Sequence, residues 1–176
     1  MGWFSQLFAR DEGQRKKRSK NAGPASIEEV QAHALVSLLT PQLQLLGLDL
    51  YAVPVRGIYV SKRSRGYIYG MAAGILGETS ANPTADMAED IMQAAFTLVW
   101  GRASAQPIFE MTLSECAARD GQTLAGSYAA ERDVSDFYAD KPFATVMGFW
   151  ALNNGLNDPA EIMPAIENGQ HISPEC

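Results

Sequence analysis

The pattern of apolar and polar positions along the chain predicts α-helices from residue 26 onward. The sequence SIEE has the form of a capping box, in which Ser26 accepts from the first turn and Glu29 reaches back to the cap amide. The apolar spacing that follows predicts a helix ending near Thr40, and we expect Pro41 to begin a second, short helix that ends at Gly47. The predicted inner face of the first helix is Ile27, Val30, Ala34, Leu35 and Leu38.

The segment LDLYAVPVRGIYVSK interrupts this helical spacing. Its residues alternate and include β-branched side chains, and Pro54 and Gly57 lie within it. Both features are typical of extended chain on either side of a turn. We therefore expect a short extended segment near residues 49–60.

The stretch RGYIYGMAAGILG carries Gly66, Gly70 and Gly74 at intervals of four. A phosphate-binding loop needs GxxxxGK and a dinucleotide fingerprint needs GxGxxG, and neither spacing occurs here. Glycines four apart lie on one face of a helix, where another backbone can approach closely. We expect this face to pack against another helix of the same domain; a homodimer contact and a groove for a ligand or lipid are the alternatives.

The segment NPTADMAEDIMQAAFTLVWG predicts a helix that could pack against this glycine face. Asn82 and Pro83 are typical of a helix start, acidic residues follow in the early turns, and Gly101 is expected to end the helix. Its apolar face is broad and includes small residues. We therefore predict a domain built around the pair of helices at residues 66–77 and 83–100.

The spacing of Thr112 and Glu115 resembles a second capping box. The helix that they would begin either stops at Gly121 or continues toward Tyr138. A further helix is predicted over residues 140–153, where Asp140 precedes Pro142 and an NNG sequence follows, and a short one begins near Asp158.

These elements together predict an all-α protein. We expect one globular domain of five to seven helices over residues 25–176, preceded by a flexible basic arm of residues 1–24. The 47% hydrophobic and 19% charged content is ordinary for a globular domain of this length.

The net charge of −6 conceals a strong asymmetry along the chain. Residues 1–65 hold ten Lys or Arg against five acids, whereas residues 66–176 hold four against fifteen. Because net charge governs association, the basic front and the acidic body are expected to attract different partners. Their opposite charges should also attract the two parts to each other. A protein partner of the body is expected to be basic.

The N-terminal arm combines aromatic and basic residues. Its apolar side chains share one side of a short helical pattern, and a basic run follows them. Such a segment suits weak, reversible binding to an anionic membrane, and a tail without a function of its own is the alternative. Nucleic acid is not expected as a partner, since the acidic body would repel phosphate. The anchor candidates are Trp3, Phe4, Leu7, Phe8, Lys16, Lys17 and Arg18.

Few residues suggest chemistry. His33 is expected on the polar face of the first helix, and Cys116 beside Glu115 is expected to be a small packing residue, because a nearby acid raises the pKa of a thiol. Asp86 and its acidic neighbours are expected to match the helix dipole in preference to binding a metal. No catalytic residue, cofactor or metal is therefore predicted.

The one small-ligand candidate precedes the glycine stretch. Lys62, Arg63 and Arg65 come just before a predicted helix start at Gly66, where free amides and cationic side chains could hold an anion, with Tyr67 nearby. This candidate keeps an enzyme or anion-binding function open as an alternative.

The compartment follows from the cysteines and the apolar runs. Cys116 and Cys176 are too few for a disulfide framework, which predicts a reducing, cytoplasmic environment. No apolar run approaches the roughly 20 residues that span a bilayer. We expect a non-enzymatic cytoplasmic interaction or regulatory protein, located at the inner face of a membrane if the arm acts as an anchor; the alternative is an acidic protein that neutralises a cationic partner.

Overall fold

A computed structural model describes residues 26–141 and 148–153, and within these ranges it contains six α-helices and no strand. The predicted all-α fold is confirmed. The arm of residues 1–24, residues 142–147 and the short helix expected near Asp158 lie outside the described residues. The helices are α1 (Ile27–Leu45), α2 (Lys62–Thr79), α3 (Ala85–Trp100), α4 (Arg102–Ala117), α5 (Gly121–Tyr138) and α6 (Gly148–Asn153), and a 3₁₀ helix spans Gly57–Val60.

Helix α1 begins at the predicted capping box, with Ser26 and Glu29 bonded reciprocally. The predicted break at Pro41 is wrong, because α1 continues through this residue to Leu45. A proline inside a helix costs about 3 kcal/mol, and only tertiary packing can offset that. Leucines on both sides of Pro41, including Leu38 and Leu43, are fully buried and hold the helix together.

The inner face of α1 differs from the predicted one at its first turn. Ile27 and Val30 are 46% and 39% exposed, whereas Gln31 and Gln42 are buried. The Gln31 amide donates to the Thr79 hydroxyl at the end of α2, and the Gln42 amide donates to the Tyr67 hydroxyl near the beginning of α2. Helix α1 therefore runs antiparallel to α2.

Helix α2 is the central element of the described residues, and it contacts each of the other five helices given above. It begins four residues before the predicted start at Gly66, because Ser61 caps it by accepting from the Ser64 amide. Its fully buried apolar side chains are Tyr67, Ile68, Met71, Ala72 and Ile75.

The glycine face of α2 packs against α5 of the same chain. A methyl group added at Gly66 would clash with the Thr123 carbonyl, and one at Gly70 would lie 2.5 Å from the Ser127 Cα. One at Gly74 would meet Val134 at 3.2–3.3 Å. Later residues of α2 meet later residues of α5, so the two helices run parallel.

This geometry corrects the predicted partner of the glycine face, which was the helix at 83–100. The sequence of that helix showed a broad apolar face, but α5 supplies small residues of its own at the contact. Gly126 of α5 faces the Arg63 carbonyl so closely that a methyl there would also clash. Because α5 covers this face, a homodimer through it would require α5 to be displaced.

Helices α3 and α4 are divided by Gly101, whose φ of +73° favours glycine. The predicted end of α3 is thus confirmed. Its start is two residues later than predicted, because Thr84, and not Asn82, is the N-terminal cap. The capping box predicted at Thr112 is wrong, because Thr112 lies inside α4, buried, and donates to the Ile108 carbonyl. Asp120 instead caps the next helix, α5, after a turn of three residues.

The segment expected to be extended near 49–60 forms no strand. The Tyr51 and Val53 amides donate to the Leu98 and Val99 carbonyls, so this part of the chain lies along the end of α3. These two hydrogen bonds satisfy carbonyls that the helix end leaves unpaired. The 3₁₀ helix then leads into α2.

Candidate functional site

The three cations of the predicted anion site lie in the first turn of α2, and two of them form ion pairs with the chain itself. Lys62 Nζ lies 2.6 Å from Asp120 Oδ2 at the start of α5. Arg65 Nη2 lies 2.5 Å from Glu115 Oε1 of α4, and the Arg65 side chain is only 8% exposed. Arg65 also donates to the Val60 carbonyl.

The two carboxylates have further structural partners. Glu115 accepts from the Thr123 hydroxyl, and Asp120 accepts from the Gln122 and Thr123 amides as the cap of α5. The hydrogen bond to Lys62 lowers the pKa of Asp120, and the same bond raises the pKa of Lys62. An external anion at Lys62 or Arg65 would therefore compete with a carboxylate that is already bonded.

A second polar cluster, which we call the buried polar centre, consists of Gln42, Tyr67 and Asp133. All three side chains are inaccessible to solvent. The Tyr67 hydroxyl donates to Asp133 Oδ2 at 2.8 Å and accepts from the Gln42 amide at 3.1 Å. The cluster thus joins α1, α2 and α5 in the middle of the core.

The buried polar centre also holds the start of α6. The Gly148 amide donates to Asp133 Oδ2 at 2.6 Å. The Phe149 and Trp150 amides donate to Gln42 Oε1 at 2.7 and 3.2 Å. A helix leaves its first amides without partners inside the helix, and here side chains of two other helices accept from them.

Burial dominates the electrostatics of this centre. Desolvation raises the pKa of Asp133 to about 6, against the lowering effect of its hydrogen bonds to Tyr67 and Gly148. The pKa of Tyr67 is raised well above its ordinary value by burial and by the adjacent carboxylate. A carboxyl group with this pKa could serve as an acid or base, but the centre is closed to solvent and therefore to a substrate.

The buried polar centre was not predicted from the sequence. Gln42 lies in the row of leucines of α1, beside Leu38 and Leu39, and Asp133 precedes Val134 on the inner side of α5. A polar residue within a buried apolar row was the available signal, since such a group must find a partner inside the protein. Which partner it finds depends on tertiary contacts that spacing along one helix does not contain.

The remaining candidates lie on three different helices, α1, α3 and α4. His33 is exposed on α1 and lies 3.4 Å from the Ser37 hydroxyl. Burial and Glu115 raise the pKa of the Cys116 thiol, which disfavours the reactive thiolate. Asp86, Glu89 and Asp90 are exposed at the start of α3.

The described residues offer neither a metal-binding cluster nor a helix that could span a membrane. Residues 26–141 and 148–153 contain no group of three His, Cys, Asp or Glu side chains placed to hold a metal ion. Within the same part of the chain, each helix is too short or too polar to cross a bilayer. The anchor candidates Trp3, Phe4, Leu7, Phe8, Lys16, Lys17 and Arg18 lie outside the described residues.

Comparisons with known proteins give no functional assignment, since no protein-family model, no curated protein and no solved structure matches the chain.

Proposed function

We propose that the protein is a non-enzymatic interaction or regulatory protein whose helical body binds a basic protein partner. The observation that carries the proposal is the exposed acidic surface at the start of α3, formed by Asp86, Glu89 and Asp90. None of the three forms a salt bridge with a described residue, and the neutral Gln93 amide that donates to Glu89 leaves its charge uncompensated. Complementary charge of this kind steers association and selects the partner.

The distribution of ion pairs supports this choice of surface. The described residues contain eight Lys or Arg against fourteen Asp or Glu. Four of the cations, Lys62, Arg65, Arg132 and Lys141, form salt bridges with carboxylates of the chain. The surface is therefore net acidic, and the paired cations offer little positive charge to an anionic partner.

The same contacts argue against the alternative of an enzyme or anion-binding site near Arg65 and Tyr67. Both side chains are buried, and both have intramolecular partners. A site for a substrate needs an accessible concave surface with polar groups directed into it. These two residues serve the packing of α2 against its neighbours.

Affinity capture with charge-matched variants tests the proposed acidic surface. The test variant carries Asp86→Asn, Glu89→Gln and Asp90→Asn, and the control carries Asp49→Asn, Glu110→Gln and Glu131→Gln. Both sets remove three exposed acids. We expect a partner of high pI that is retained by the wild type and the control, lost by the test variant, and released by salt. An acidic partner, or equal retention by both variants, would contradict the proposal.

A second proposal concerns the location of the protein. The aromatic and basic residues of the arm support weak binding to anionic lipid, which would place a cytoplasmic protein at the inner face of a membrane. We expect the full-length protein to sediment with vesicles that contain anionic lipid, and not with neutral ones. Substitution of Trp3, Phe4, Leu7 and Phe8 by Ser should abolish sedimentation, whereas unchanged sedimentation would refute the anchor.

A further inference from the structure

Helix α6 rests directly on the carboxylate of Asp133. A methyl group at Gly148 would come within 2.6 Å of Asp133 Oδ2 and 2.7 Å of Tyr67 Cε2. The ring of Phe149 lies 5.6 Å from the ring of Tyr67, centre to centre. Release of α6 would therefore uncover Tyr67 and admit water to a carboxyl group that is otherwise sealed.

The two oxygens of Asp133 have different surroundings. Oδ2 accepts from Tyr67 and from the Gly148 amide, whereas Oδ1 is buried and makes no hydrogen bond to the described residues. A proton on Oδ1 would leave both hydrogen bonds to Oδ2 in place. The carboxyl group can therefore become neutral without losing its hold on α6.

We propose that Asp133 is a proton-sensitive latch for α6, which holds this helix more tightly when its carboxyl group is protonated than when it is ionised. The inference concerns regulation of the fold and does not depend on the proposed partner or membrane anchor. Its consequence is that a rise in pH makes the surface under α6 more accessible.

The direction follows from the two environments of the carboxyl group. With α6 in place, burial raises the pKa of Asp133 from 3.8 to about 6. With α6 released, water restores a pKa near the ordinary value, so the closed form binds a proton more tightly than the open form. The equilibrium thus favours the closed form most below pH 4. It shifts toward the open form as the pH rises toward 6, and it changes little at higher pH. A shift of this size corresponds to about a hundredfold change in the opening equilibrium.

Some of the charged and titratable groups around Asp133 raise its pKa, and others lower it. On α5, Arg132 Nη2 lies 3.6 Å from Oδ1 and favours the ionised form, while Asp136 favours the protonated form. Tyr67 of α2 and the Gly148 amide of α6 donate to the ionised form, and Gln42 of α1 is neutral. Arg132 is 47% exposed, so water screens its effect, and burial remains the dominant cause.

Hydrogen exchange on the full-length protein tests the latch. Exchange rates would be measured between pH 4.5 and 7.5 and divided by the intrinsic rate at each pH. We expect protection of the Phe149 and Trp150 amides to fall by tens of fold across this range. Larger openings also expose Asp133, so buried α2 amides such as Met71 should follow the same pH dependence but remain better protected than the α6 amides at each pH.

Three variants complete the test. Asp133→Asn keeps an acceptor for the Gly148 amide but cannot titrate, so protection should become independent of pH. Asp136→Asn removes another buried carboxylate of α5, so the fall in protection should persist and move to slightly lower pH. Arg132→Gln removes a cation that favours ionisation, so the fall in protection should move to higher pH. A flat wild-type profile, an unchanged slope in Asp133→Asn, or protection of the α6 amides equal to that of Met71 would each overturn the latch.

Discussion

Gly70 of α2 and Ser127 of α5 are in backbone contact, since a single methyl group on Gly70 would lie 2.5 Å from the Ser127 Cα. A side chain at this position must push two helices apart. The spacing of Gly66, Gly70 and Gly74 predicts a close contact on this face. The structure identifies α5 as the element that makes it.

Substitution at this contact should destabilise the protein. We expect Gly70→Ala to lower the free energy of unfolding by about 1 to 3 kcal/mol, because overpacking displaces backbone. Gly77 provides a matched control on the same helix, since nothing lies within 4 Å of a methyl group there. Gly77→Ala should stabilise by up to about 1 kcal/mol through helix propensity. Urea denaturation measures both, and stabilisation by both variants would contradict the close packing.

The ion pair between Arg65 and Glu115 gives a second prediction. Their side chains are 8% and 15% exposed, so removal of one partner leaves a charge buried without compensation. We expect Glu115→Leu alone to lower the free energy of unfolding by about 3 kcal/mol, and the double variant with Arg65→Met to lower it by less than that single change. A double-mutant cycle in urea measures the coupling. Additive effects of the two sites would show that the pair is not coupled.

Gln42 links α1 to both α2 and α6, and its replacement gives a third prediction. Gln42→Leu keeps a good helix former of similar size but removes the acceptor for the Phe149 and Trp150 amides. Both amides would lose these hydrogen bonds inside the core, which should lower the free energy of unfolding by at least about 2 kcal/mol. We expect a lower melting temperature and a red-shifted Trp150 emission. Gln44→Leu, at an exposed position of α1, is the control and should melt like the wild type.

The pH dependence of global stability gives a fourth prediction. Asp133 binds its proton more tightly in the folded state than in the unfolded chain, because burial raises its pKa to about 6. Its contribution therefore makes stability fall as the pH rises from about 4 to 6, by up to about 3 kcal/mol. Asp133→Asn should remove this slope and be more stable than the wild type at pH 7. The same slope in the variant would assign it to other groups.

The all-α class, the first helix cap and the end of α3 at Gly101 could be predicted because each depends on local chemistry. Ser26 and Glu29 satisfy each other within one turn, and Gly101 adopts a backbone angle that other residues avoid. The predictions at Pro41 and Thr112 were wrong because tertiary packing, and not local chemistry, decides the structure there. Both residues have local preferences that the surrounding packing overrides.

The candidate site could be predicted only in part. Clustered cations before the glycine stretch suggested an anion site, but their partners Asp120 and Glu115 lie more than 45 residues away in sequence. Asp133 and Gln42 were missed for the same reason, since their connection is made through Tyr67 in three dimensions. Spacing along one helix identifies which groups need a partner, and the fold determines which partner they find.

The contact between α2 and α5 has a consequence for the synthesis of the chain. Gly74 and Val134 meet although α3 and α4 are made between them. At 5 to 20 residues per second, about 3 to 12 seconds separate the emergence of the two positions from a ribosome. During that interval the glycine face of α2 has no α5 of its own chain to cover it. It is then open to the α5 of a neighbouring chain, which would exchange helices between two copies.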